Sequence, residues 1–108
     1  MIRNKEYNIK HVTNPDGVDT YAVIDNNNIR VLVAFETNNS EANKELAEYV
    51  FDYLVHKWLI GGGNQEVYEA KLYRVLKILL NNLKHKYPKL EYTLEDHGVF
   101  RVTGYGAK

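Results

Sequence analysis

The densest titratable group in the chain is Glu95-Asp96-His97, two carboxyls and an imidazole in succession. Such a triplet does acid–base work when a cleft shifts the pKa values of its members. Adjacent residues of a strand point to opposite faces, however, so Glu95 and Asp96 do not present two carboxyls to one substrate as a glycosidase pair does. Asp96-His97-Gly98 reads first as a hairpin turn, and a small enzyme centred on Glu95, Asp96 and His97 is carried as an alternative. Cysteine is absent, and the only serine, Ser40, falls at a helix start. The four histidines, His11, His56, His85 and His97, stand singly, without H-E-x-x-H spacing. A nucleophile or a metal site would have to be assembled wholly by folding, so no catalytic residue, cofactor or metal ligand is expected.

Gly61-Gly62-Gly63 suggests a phosphate cradle, but it follows a helical pattern instead of a strand, and no Lys-Ser/Thr pair comes after it. Glu66 and Glu69 would repel an anion at the next helix start. The glycines read as a connector, with Asn64 capping the second helix.

Charge is arranged unevenly. Residues 41–52 hold Glu41, Glu45, Glu48 and Asp52 against Lys44, whereas residues 71–89 hold Lys71, Arg74, Lys77, Lys84, Lys86 and Lys89 with no acid. The formal net charge is zero, so no global field recruits nucleic acid or an anionic membrane. An acidic helix face beside a basic one can orient the molecule on a partner with the reverse pattern, or the two faces can simply attract each other across the hairpin. Nine tyrosines add contact area at little cost in rotamer entropy. Candidate partner-binding residues are Glu45, Glu48, Asp52, Lys71, Arg74, Lys77 and Lys84 on the helices, with Tyr21, Arg30, Tyr92, Arg101 and Tyr105 in the strands.

These residues need elements to hold them. Residues 6–12 alternate as a strand, and Asn14-Pro15-Asp16-Gly17 satisfies every position of a tight turn. Residues 18–25 and 29–36 follow as strands around Asn26-Asn27-Asn28, the second apolar on both faces and hence central. Ser40 is placed to cap a helix from Glu41 to about Ile60, with Leu46, Ala47, Val50, Phe51, Tyr53, Leu54 and Trp58 on its apolar face. A second helix, from about Gln65 to Lys86, carries Tyr68, Leu72, Val75, Leu76, Leu79, Leu80 and Leu83, and Pro88 stops it. Strands at 90–94 and 99–103 close the chain. The order β-β-β-α-α-β-β implies a single α+β domain over residues 1–108: two layers, an antiparallel sheet of about five strands, and a helical hairpin on one face. If the helices cover the Ile29 face, the open face carries Asp19, Tyr21, Val23, Arg30 and Leu32.

In broad character, small, cysteine-free and rich in Asn and Tyr, the chain resembles small accessory proteins of phages and mobile elements of low-GC bacteria, among them anti-CRISPR and other anti-defence inhibitors and immunity proteins. No functional residue transfers from a likeness of that kind. It implies a non-catalytic module that occludes a partner protein, cytoplasmic in the bacterial host cell. The lack of a signal-peptide run or an 18-residue apolar span agrees with that placement. The alternative is a single-stranded nucleic-acid binder using Lys71, Arg74, Lys77, Lys84, Lys86 and Arg101. Homodimerisation through an edge strand or the open sheet face is a further expectation.

Overall fold

The computed structural model describes residues 7–26, 29–61, 71–96 and 100–105, the side chains of 56–61 and 105 excepted. The elements are β1 (Tyr7–Thr13), β2 (Asp19–Asp25), β3 (Arg30–Thr37), α1 (Ser40–Gly61), α2 (Leu72–Lys86), β4 (Glu91–Asp96) and β5 (Phe100–Tyr105). Their order is the expected one, and five strands form one sheet in the order β1-β2-β3-β5-β4. Gly61 is the last residue of α1, while Gly62, Gly63 and Asn64 of the connector, the turn residue His97 and the side chains of His56 and Trp58 lie outside the described residues.

The turn after β1 forms as its residues dictate. Gly17 takes φ +85, its N–H donates to Asn14 O at 2.9 Å, and Asp16 Oδ1 accepts from the Val18 N–H at 2.9 Å. At the β2–β3 reversal the strand starts one residue later than its apolar run. Ile29 sits at φ 50 with 86% of its surface exposed, so it belongs to the turn and not to a buried face. That conformation is unusual for a β-branched residue.

Three neighbouring strand pairs are antiparallel, but β3 and β5 run parallel. The antiparallel helical pair returns the chain to the end of β3, so whichever of β4 and β5 lies beside β3 decides the direction of that pair. β4 bears Glu91, Glu95 and Asp96, which suits it to an edge, and β5 carries the fully buried Val102 into the middle.

Both helices cover one face. Ala42, Leu46, Ala47, Val50 and Leu54 of α1, and Leu72, Leu76, Leu80 and Leu83 of α2, close over Val23, Val33, Phe35 and Val102. The face assignment expected around Ile29 is therefore reversed for part of the sheet. Val23 is buried under the helices, Tyr21 packs partly against the same core, and Asp19 shares their side of β2. Leu32 joins the core too, at the irregularity where β2–β3 pairing steps from Val23–Val33 to Ile24–Val31.

The start of α1 is fastened by polar groups. Asn39 caps it, its Oδ1 accepting from the Ala42 N–H at 3.1 Å. Ser40, one residue on, accepts instead from the Asp19 N–H at 2.9 Å. Fully buried Asn43 donates from Nδ2 to Asp19 O and Thr37 O, each at 2.9 Å, and its Oδ1 accepts from Thr37 N at 3.0 Å and Thr37 Oγ1 at 2.6 Å. This network fixes α1 to β2 and β3.

Candidate interaction surface

The outer surface of the helical layer presents what the two apolar stripes leave out. On α1, positions 41, 45, 48 and 52 recur at helical spacing opposite Leu46, Val50 and Leu54, so Glu41, Glu48 and Asp52 stand exposed with Glu45 half-buried beside them. Tyr49 lies on the flank at 55% exposure. A shallow groove of about 630 Å³ runs over this surface, lined by Ile9 of β1 with Glu45, Glu48, Tyr49, Phe51 and Asp52. On α2, Arg74, Lys77 and Lys84 are exposed, with Tyr73 at 44% and Ile78 at 56%. Lys77 Nζ lies 5.4 Å from the centroid of the Tyr73 ring, whose other contact is Phe100, at a centroid distance of 5.8 Å.

The helices meet antiparallel, and opposite charges close the seam. Lys86 Nζ donates to Glu45 Oε1 at 2.8 Å, and the Tyr87 hydroxyl donates to Glu45 Oε2 at 3.5 Å. The hydrogen bond from Lys86 to the Glu45 carboxylate raises the lysine pKa above its ordinary value. Burial, with the nearby Glu45 charge second, raises that of Tyr87. Beneath them a crevice of about 200 Å³ is lined by Glu45, Leu46, Tyr49, Leu79, Asn82, Leu83 and Lys86. Lys84 donates to Leu90 O at 3.0 Å. The acidic and basic residues thus attract each other at one end, while among the described residues Glu48, Asp52 and Arg74 form no ion pair within the chain.

The strand candidates do not join this surface. Tyr21 and Tyr92 pack partly against the core on the helical side. Arg30 lies 3.5 Å by Nε from Oδ2 of fully buried Asp25, and so serves to accompany a buried carboxylate. Arg101 is on the opposite, uncovered face, in a cross-strand row with Lys10, Ala22, Ala34 and Glu95, and donates to Glu36 at 2.7 Å. Tyr105 pairs with Glu91 in the β4–β5 register, and its side chain lies outside the described residues. The cations expected to track a nucleic-acid strand are therefore divided, Arg101 on one layer and those of α2 on the other. Glu95 pairs with Arg101 and Asp96 with Phe100 in the register, which puts the two carboxyls on opposite faces.

One cluster escapes a reading by spacing. His11 Nε2 is 3.3 Å from Asp19 Oδ1, and its ring stacks on Tyr21 at 4.5 Å with 2° between planes. Ser40 is near through the Asp19 backbone, but no hydrogen bond joins it to His11, so these residues do not make a nucleophile–base pair. The β1–β2 register, with His11 opposite Tyr21, is the only signal that brings them together. Among the described residues no group of three His, Cys, Asp or Glu is placed to hold a metal ion, and no helix is long and apolar enough to cross a membrane. No family model, curated protein or solved structure matches this chain at a significant level.

Proposed function

We propose that the chain is a non-catalytic protein-binding module that meets its partner with the outer surface of the helical layer. The observation that carries this reading is the placement of exposed apolar area. Of the five large hydrophobic side chains exposed among the described residues, three, Tyr49, Tyr73 and Ile78, stand on the two helices beside the segregated charges, and Val12 and Ile29 lie on the sheet and its turn. Aromatic and aliphatic anchors ringed by polar residues are the composition of an interface centre and its rim. The partner carries a basic region to face Glu48 and Asp52 and an acidic one to face Arg74 and Lys77. Binding there occludes part of the partner's surface, the mode of action of small phage- and mobile-element-encoded inhibitors.

The test begins with affinity capture from the native host and continues with titration of the recovered protein. Tyr49→Ala and Ile78→Asp are each expected to weaken binding about tenfold or more, as loss of an interface anchor does, while Lys10→Ala on the uncovered sheet face leaves it unchanged. Recovery of nucleic acid alone, or loss of binding only with the sheet-face variant, would overturn the reading.

A further inference from the structure

The outer helical surface is complementary to itself. Its two halves differ in sign, acidic on α1 and basic on α2, and the whole chain has a formal net charge of zero, so two copies approach without net repulsion. We infer that this face also takes a second copy of the chain, forming a two-fold dimer in which α1 of each subunit lies on α2 of the other. The inference rests on the reading that the helical layer is a binding surface, and adds a state in which that surface is covered.

With the helices of the two copies aligned, symmetry allows two arrangements and charge selects one. Two identical layers meeting face to face are related by a two-fold axis in the plane between them. An axis perpendicular to the helices would put α1 on α1 and α2 on α2, acid against acid and base against base. An axis parallel to the helices, above the seam between them, puts α1 on α2 twice. Heights along the seam agree with this choice. Glu45 is level with Lys86, and Tyr49 is level with Leu79 and Asn82, so Asp52, one turn further along α1, is level with the turn of α2 that holds Lys77 and Ile78. Rotation about the parallel axis keeps each height. Asp52 of one subunit then faces Lys77 and Ile78 of the other, and Tyr49 comes to the centre of the contact. Glu48 and Asp52, which form no ion pair among the described residues, acquire basic neighbours on α2 of the other copy.

The sheet edges offer no comparable route. Lys10 is the middle residue of β1, so two-fold pairing of β1 with its copy over all seven residues brings lysine to lysine, and pairing β4 with its copy gathers Glu91, Glu95 and Asp96 of both chains.

Charge exchange tests the dimer with the full chain. Sedimentation equilibrium at low salt is expected to show wild-type mass rising with concentration towards twice the 12.6 kDa of one chain, and returning towards one chain in high salt, where exposed charges are screened. The double variant Glu48→Lys/Asp52→Lys makes both helices basic, and Arg74→Glu/Lys77→Glu makes acidic the part of α2 that faces Asp52 of the other copy. Each alone is expected to weaken self-association at least tenfold, whereas an equimolar mixture of the two restores a complex of two chains. Circular dichroism confirms that both variants are folded, and the single substitutions Glu48→Lys and Lys77→Glu take their place if either is not. A wild type that stays monomeric, variants that dimerise as well as the wild type, a mixture that does not associate, or a mixture that grows beyond two chains each overturns the dimer. The protein-binding reading fails by another measurement, the partner titration with Tyr49→Ala and Ile78→Asp, so a monomeric wild type removes the dimer and leaves that reading intact.

Discussion

Asn43 occupies a position of α1 that its neighbours Ala42, Leu46, Ala47 and Val50 mark as core, and it is fully buried there. A polar side chain at such a site destabilises unless every donor and acceptor finds a partner. Here the amide meets four, drawn from Thr37 and Asp19, so the residue trades apolar packing for a fixed angle between α1 and the sheet. Replacing it with leucine of similar size leaves the Thr37 N–H and the Asp19 and Thr37 carbonyls buried without it. Asn43→Leu is expected to lower stability by about 3 kcal/mol, read as a lower urea midpoint at unchanged slope. A loss below about 1 kcal/mol would mean that the network is dispensable. The periodicity of α1 marks position 43 as inward-facing, but its partners lie at residues 19 and 37, and sequence spacing carries no record of a contact made by folding. For the same reason the helix cap was legible in kind but displaced by one residue: Ser40 and Asn39 are both good caps, and the tie is broken by the Asp19 amide, which takes the serine hydroxyl. His11 illustrates the limit further, since alone it is a surface histidine, and only strand pairing gives it Asp19 and Tyr21.

At the scale of elements, period and punctuation were enough to find five strands and two helices, because alternation, the Pro15–Gly17 turn and Pro88 are local signals. Strand order is not local. Nothing in the alternation of residues 90–94 and 99–103 says which strand lies beside β3, and the antiparallel expectation fails at that one pair. Gly104 shows how the final arrangement is locked. It pairs with Thr37 of β3 and Tyr92 of β4, and its carbonyl accepts from the Asn38 N–H at 3.2 Å. A Cβ at this position would run into the backbone carbonyl oxygen of Glu91 and lie 2.9 Å from Tyr92 Cα. Those obstacles are main chain, so no side-chain rotation relieves them, and β4 must move away from β5. Gly104→Ala is therefore expected to cost about 2 kcal/mol, within the range for overpacked sites, with faster amide hydrogen exchange concentrated in residues 91–96. Unchanged protection in β4 would show that the strand pair accommodates the methyl group and that close approach is not what seats β4 at the edge.

At the scale of the molecule, the charges of the two helices could be counted along the chain, but their arrangement in space could not. That depends on both apolar stripes burying against the same sheet face, which points Glu48, Asp52, Arg74 and Lys77 outward together and sends Arg101 to the other side. The split surface is thus a consequence of one shared core. That core runs from Tyr7 in β1 to Val102 in β5 and includes four leucines of α2, so no helix or hairpin keeps an apolar face covered when another element leaves. A chain held this way should unfold as one unit. The expectation is that far-ultraviolet circular dichroism, which follows the helices, and near-ultraviolet dichroism of the tyrosines, which lie in both layers, give superimposable urea transitions with a single midpoint and slope. In high salt, where wild type and charge-exchanged variants are alike monomeric, both curves of the variants, which alter only the outer surface, should shift together by no more than about 0.5 kcal/mol per substitution, the usual effect of a surface change. Loss of the helical signal before the tyrosine signal would contradict a shared core, and with it the geometric ground for treating α1 and α2 as one rigid binding face.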